Sequence, residues 1–291
     1  MTAEILIILA CVPLYVVNSF CDKLASTKSE NKYNYFYNAV KFLICSLCML
    51  PVLLLDKASP FTSGSLLCGA LCGITYAVSK TAMLKGYEKT SVAFMTLCHS
   101  SGMILPCVIG HFFWSEKLSL FSVAGILLAI ISIVLLKGAS QSGEKKRLDL
   151  VGALLGGVIF LTSAIVMITQ KLMGIYFSGE SVSAYNIYSF FVAFLILCFF
   201  VKPRLVLKAE KRERKHICLC ALGSAISLSV IGFVMTSLAG AIPSVILFPL
   251  FNGSGIILVC VGSAFFFKES FTPKKAVGMA IGILGLCLVN L

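Results

Sequence analysis

The chain is poor in charge. Only 12% of its 291 residues are Asp, Glu, Lys or Arg, against about a quarter in an ordinary soluble domain. Acids are scarcest, at 12 against 24 basic residues, with three histidines and one tryptophan. This composition excludes a soluble domain. No Gly-rich loop ending in Lys-Ser/Thr is present, so ATP drive within the chain is not expected. No nucleophile stands beside a base and an orienting group, so an enzyme is not expected. No histidine or carboxylate cluster joins the thirteen cysteines. They lie mostly in apolar runs, where Cys acts as a small hydrophobe, and no metal or cofactor is expected. The formal charge of +12 sits in short loops. That is the pattern of membrane orientation, not of nucleic-acid binding.

What remains is apolar: 59% hydrophobic residues, with a mean hydropathy of +1.00. A membrane-spanning helix needs about 20 apolar residues and satisfies its own backbone. Ten such segments can be drawn: Ala3 to Cys21, Asn34 to Leu55, Gly64 to Leu84, Thr90 to Trp114 and Leu120 to Leu136, then Leu150 to Lys171, Ala184 to Val201, Ile217 to Leu238, Pro243 to Phe267 and Lys275 to Leu291. Polar stretches separate them. Asp22 to Tyr33 reads as a loop, Asp56 to Pro60 as a turn, Gly86 to Lys89 as a tight connection, and Lys202 to His216 as a solvated loop that Pro203 opens. The first run has no basic flank and no small-residue cleavage site, so it reads as a retained helix.

The chain repeats itself. Sliding it by 153 positions lays Ser91 on Ser244, Gly102 on Gly255, Cys107 on Cys260, Phe112-Phe113 on Phe265-Phe266, Glu116 on Glu269 and Gly125 on Gly278. The expected architecture is therefore an all-α integral membrane protein with ten transmembrane helices in two five-helix repeats. They span residues 1–138 and 149–291 and are joined by a Gly/Ser-rich basic linker at 139–148. An odd helix number inverts the second copy relative to the first, a plan common among secondary transporters. The odd-numbered loops carry nearly all the Lys and Arg, so the positive-inside rule puts them in the cytoplasm and both termini outside.

Two turns carry a resemblance: Trp114-Ser115-Glu116-Lys117-Leu118-Ser119 with Gly125, and Phe267-Lys268-Glu269-Ser270-Phe271-Thr272 with Gly278. An apolar helix ending in such a glutamate turn, twice per chain, resembles the drug/metabolite transporter superfamily, specifically its ten-helix EamA-type permeases. The resemblance implies a secondary transporter with a central cavity lined by parts of helices one, three, four, six, eight and nine. It also implies cytoplasmic termini, against the charge count. Pro106 and Pro249 stand away from the family's usual mid-helix proline position.

Polar groups at membrane depth are the candidates for binding, because they are costly there and tend to face a pathway. His99 in the fourth segment overlies Asn252 in the ninth, and Ser101 overlies Ser254. These pairs read either as a midplane substrate or proton site, with His99 able to titrate near neutrality, or as interhelical hydrogen bonds. Tyr76 and Lys80 lie one turn apart in the third segment, and Lys80 can attract an anion or snorkel to the interface. Lys41 and Lys171 share that ambiguity. Asn18 and Tyr188 complete the set. Glu116 and Glu269 read as helix-capping turn residues. Gly69 with Gly73 and Gly278 with Gly282 have the spacing of close helix contacts.

The expected function is secondary active transport of small organic metabolites by alternating access, with export favoured. The scarcity of buried acids points to an amino acid, a neutral metabolite or a small anion. The expected setting is multi-pass in the cell (plasma or inner) membrane, as monomer or homodimer, with protons as a coupling ion and no nucleic-acid partner. The alternative class is a non-transporting scaffold or an accessory subunit of a lipid-modifying or flipping complex.

Overall fold

The computed structural model describes residues 2–28, 33–56, 58–89, 92–116, 119–138, 150–208, 210–266 and 273–289. The basic linker at 139–148 and the Glu269 turn lie outside them. Among the described residues twelve helices run in order: α1 (Thr2–Lys28), α2 (Asn34–Leu55), α3 (Ser63–Lys89), α4 (Val92–Ser101), α5 (Ile104–Phe113), α6 (Leu120–Gly138), α7 (Leu150–Tyr176), α8 (Val182–Cys198), α9 (Pro203–Lys208), α10 (Lys211–Leu238), α11 (Ser244–Phe266) and α12 (Pro273–Val289). No strand occurs among the described residues. Five helices, α1, α2, α3, α7 and α10, are long and apolar enough to cross a membrane, and α6, α8, α11 and α12 contain shorter apolar stretches. Their outer faces carry bare leucine and phenylalanine that water would not tolerate in such number. Phe112 and Phe113 are 75% and 76% exposed, and their repeat mates Phe265 and Phe266 are 80% and 78% exposed. The fold is an all-α membrane fold.

The structure corrects several segment boundaries. The first helix does not stop at Cys21 but continues to Lys28, so Asp22 is helical and not in a loop. Gly86 is likewise inside α3 rather than in a connection. The stretch Lys202 to His216 is largely helix: α9 covers Pro203–Lys208 and α10 begins at Lys211. Pro203 is the first residue of α9, where its missing N–H costs nothing. The fourth segment is not continuous. Pro106 cannot donate to the Gly102 carbonyl one turn back, which the Leu105 N–H takes up instead at 3.3 Å. The chain turns through Gly102 and Met103 between α4 and α5, as proline's steric demand on the preceding turn requires.

The chain forms two compact units, and each draws on both sequence halves. The first holds Met1–Pro13, Thr81–Ile168 and Ala241–Leu291. In it α6 packs along α12. A Cβ on Gly282 would meet Ser132 Oγ at 2.5 Å, and that hydroxyl donates to the Gly278 carbonyl at 2.6 Å. Gly102 lies equally close to α7: its Cβ would meet the Phe160 carbonyl at 2.9 Å. Glu116 reaches the start of a helix distant in sequence. Its carboxylate accepts from the Ser244 N–H at 2.7 Å and the Ser244 hydroxyl at 3.2 Å, satisfying the otherwise unbonded start of α11.

The second unit holds Leu14–Lys80 and Thr169–Gly240. Here α2 packs against α8 and α10 around Phe42, Cys45, Phe190 and Ala225. Gly69 and Gly73 bring α3 onto α8: added Cβ atoms would meet the Tyr185 carbonyl at 2.9 Å and the Ser189 carbonyl at 2.5 Å. At one end of this unit two carboxylates tie loops to helix starts. Glu180 accepts from the Gly64 N–H at 3.2 Å and the Ser65 N–H, capping α3. Asp56 accepts from the Ser181 hydroxyl at 2.7 Å and the Ser183 hydroxyl at 2.9 Å at the start of α8.

The Ser181 hydroxyl holds the Asp56 carboxyl below its ordinary value, against a smaller opposing effect of burial. A depressed folded-state value stabilises above the unfolded value and stops doing so as pH falls through the folded one. The melting-temperature gap between wild type and Asp56→Asn is thus expected to be flat above about pH 5 and to close below about pH 4. A gap unchanged down to pH 3 would mean that the contact does not use the charge.

Candidate functional site

Four helices of the second unit place polar groups together. Asn18 and Asp22 are four residues apart on α1 and share a face, as do Tyr37 and Lys41 on α2. Ser224 on α10 and Lys80 on α3 complete the group. The Lys41 ammonium donates to Asn18 Oδ1 at 2.8 Å and to Asp22 Oδ1 and Oδ2 at 2.9 and 3.3 Å. The Tyr37 hydroxyl donates to Asp22 Oδ1 at 2.5 Å. The Ser224 hydroxyl reaches Asn18 Oδ1 at 2.5 Å and Asp22 Oδ1 at 3.0 Å. The Tyr37 ring also lies 5.9 Å from the Lys41 nitrogen, near enough to attract the cation through its π face.

Burial within the cluster is uneven. The Lys41 side chain is 1% exposed and that of Asp22 34%. Lys41 is therefore the inner member of the ion pair and Asp22 the reachable one. Lys80 is half-buried and within electrostatic reach of both. Asp22 lies six residues from the end of α1, or about 9 Å along the axis, so the cluster sits inside the helical layer.

The remaining sequence candidates divide by unit. Tyr76, one turn before Lys80, belongs to an aromatic triangle with Phe42 at 5.5 Å and Phe190 at 6.1 Å between ring centroids. Tyr188 lies elsewhere: its hydroxyl donates to the Pro60 carbonyl at 3.0 Å, in the turn between α2 and α3. In the first unit, His99 and Ser101 fall at the end of α4, beside the Gly102 break, and both are half-buried. The Asn252 amide donates to the Phe248 carbonyl at 2.9 Å and the Ser254 hydroxyl to Leu250 at 2.5 Å, both one turn back on their own helix. Of the eight candidates, the structure brings Asn18 and Lys80 into one cluster and sets Tyr76 on the helix face beside it.

Sequence reasoning missed Asp22 and Tyr37 and left Lys41 ambiguous. The expected scarcity of buried acids has Asp22, half-buried, as its counterpart in this cluster. The missed signal was the spacing of Asn18 and Asp22, which fits one helix face as soon as the helix is allowed to continue.

A second slide, of 148 positions, puts the cluster in context. It lays Tyr37 on Tyr185, Asn38 on Asn186, Phe42 on Phe190 and Lys23 on Lys171. The Tyr37–Asp22 bond has a counterpart: the Tyr185 hydroxyl lies 3.0 Å from Thr169 Oγ1, next to Gln170, the mate of Asp22. Asn38 and Asn186 both donate to the carbonyl four residues back, at 2.9 Å. The charged pair Asp22 and Lys41 thus corresponds to the neutral pair Gln170 and Ser189.

A cleft of about 340 Å³ at the far end of this unit is lined by Asp56 and Glu180, but both carboxylates serve the helix starts described above. No group of three or more His, Cys, Asp or Glu able to hold a metal occurs among the described residues.

A family model described as EamA-like transporter family matches residues 1–137. No curated protein matches the chain. A solved structure titled only "Crystal structure of protein" is similar to it with a TM-score of 0.77 and 14% identity, over 99% of this chain and 96% of that one. At that identity the likeness speaks for the fold alone.

Proposed function

We propose, from the match of residues 1–137 to the EamA-like transporter family, that the chain is a transporter-like membrane protein and, more closely, a secondary active transporter of small organic metabolites. The supporting observation is the Asp22–Lys41 pair with its Asn18, Tyr37 and Ser224 partners. Ionisable side chains within membrane helices are costly and tend to face a pathway. A scaffold has no use for one. A binding site does, because charges and hydrogen-bond groups held in low dielectric recognise a polar solute strongly.

The mechanism is alternating access between two inverted five-helix repeats, residues 1–138 and 149–291, joined at 139–148. The Gly102 break between α4 and α5 resembles the discontinuous helices on which secondary transporters build their sites. His99 is the titratable group for proton coupling. The setting is the cell membrane, plasma or inner, with the lipid bilayer and a small-molecule substrate as partners, as monomer or homodimer and in the direction of export.

Proteoliposome counterflow tests this. Pools of amino acids, sugars, nucleosides and small organic acids are compared for wild type, Asn18→Ala, His99→Ala and Asn252→Ala. At least one pool is expected to exchange in the wild type. Asn18→Ala is expected to slow exchange about tenfold, the effect of leaving buried polar partners unpaired. Asn252→Ala, whose amide serves its own helix, is expected to stay within about twofold. No exchange with any pool from folded protein would sink the transporter reading in favour of an accessory subunit.

A further inference from the structure

The charges of the cluster do not balance. Lys41 is neutralised by Asp22 at 2.9 Å. Lys80 adds a second cation within electrostatic reach of both, and among the described residues no carboxylate or other acceptor is bonded to it. One positive charge is left over in a low-dielectric setting, where like charges repel strongly and an added anion is attracted equally strongly. The charged groups of the cluster that keep some exposure are Lys80, half-buried, and Asp22, at 34%. An arriving solute meets these first, not the sealed Lys41.

Resting on the transporter reading above, we infer that the site takes small carboxylates, with the substrate's carboxylate seated against Lys80 in the α1–α2–α3–α10 cluster. A single negative charge closes the balance. A phosphate monoester, carrying close to two at neutral pH, would overshoot it beside Asp22, and an amine would add to the excess. The lysine suits this task as a compact point charge on a flexible stem. The carbon body has the half-buried Tyr76 ring to lie on, one turn from Lys80 and backed by the buried Phe42 ring 5.5 Å away. A substrate that is also zwitterionic can place its ammonium toward the half-buried Asp22.

The test is counterflow with four pools: small carboxylic acids including amino acids, the matching amides, the matching amines, and phosphate monoesters. Each is run on wild type, Lys80→Gln and Lys80→Arg in sealed proteoliposomes. The expected result is exchange of the carboxylate pool above the others, reduced about tenfold or more in Lys80→Gln, as truncating one partner of a buried charge pair does, and largely kept in Lys80→Arg. If Lys80→Gln does not fold, the pool preference of the wild type and of Lys80→Arg still decides. Preference for the amide, amine or phosphate pool, or a folded Lys80→Gln with wild-type carboxylate exchange, overturns the carboxylate assignment and leaves the transporter reading standing. Exchange of no pool at all overturns both.

Discussion

The Asp22→Asn variant is expected to lose about 3–5 kcal/mol of unfolding free energy, the range for stranding one member of a buried ion pair. Lys41→Met is expected to lose less, about 1–3 kcal/mol, although both remove the same contact. The difference follows from burial. Lys41 is 1% exposed, so without Asp22 its charge has Asn18 but no anion and almost no water. Asp22 is 34% exposed and keeps the Tyr37 and Ser224 hydroxyls as donors when Lys41 is gone. The double variant Asp22→Asn with Lys41→Met strands neither member of the pair, leaving only the half-buried Lys80 charged, and is expected to recover most of the stability without recovering transport. Reversible unfolding in mixed micelles measures all three. An equal loss in the two single variants would mean that water reaches Lys41 as well as Asp22. A double variant that transports normally would remove the pair from the site.

Gly73→Ala is expected to act through position, not charge. Its new Cβ would lie 2.5 Å from the Ser189 carbonyl and 2.7 Å from Val192 Cβ on α8. A backbone carbonyl cannot rotate away as a flexible side chain can, so α3 must shift. Overpacking of this kind costs about 1–3 kcal/mol. The same helix carries Tyr76 and Lys80 one and two turns further on, so the shift displaces the cation of the proposed site. Exchange is expected to fall about tenfold or more, since a misplacement near 1 Å at a positioned group is felt that strongly where geometry decides. Counterflow and melting temperature measured together separate the two effects. Normal exchange in a destabilised Gly73→Ala would show that α3 moves without carrying Lys80 out of place.

Most of the fold was legible because lipid imposes long apolar runs on any chain that crosses it. The limits of α2 were read from the sequence to the residue, and those of α6 and α11 to within two. What escaped was where a helix goes on past its apolar run. Asp22, Lys23 and Lys28 look like a loop, yet α1 needs no apolar residue there, since Asp22 bonds to Tyr37, Lys41 and Ser224 within the unit. The α4–α5 break was equally hidden. Pro106 marked it, but a proline in a membrane helix can kink it or interrupt it, and the crossing of Gly102 over α7 is a long-range fact. Close-packing glycines were readable as a pattern in Gly69 and Gly73, while their partner helix was not. The slide of 153 positions pointed to His99 and Asn252. The charged cluster follows a different slide, of 148, carried by the first two helices of each half.

That second slide bears on how the protein came to have its charges. Tyrosine, asparagine and phenylalanine stayed the same at the matching positions of α2 and α8, while Asp22 and Lys41 stand where the other copy has Gln170 and Ser189. A neutral duplicate is thus a viable arrangement, present in the molecule itself. Between neutral and charged there are two single steps, and each alone leaves one ion unmatched within the helices. The two substitutions are epistatic. A lineage passes from one state to the other only by making both changes together or by way of a weakened intermediate. Losing the pair should be as hard as gaining it, and the charged copy is held in place by its own history.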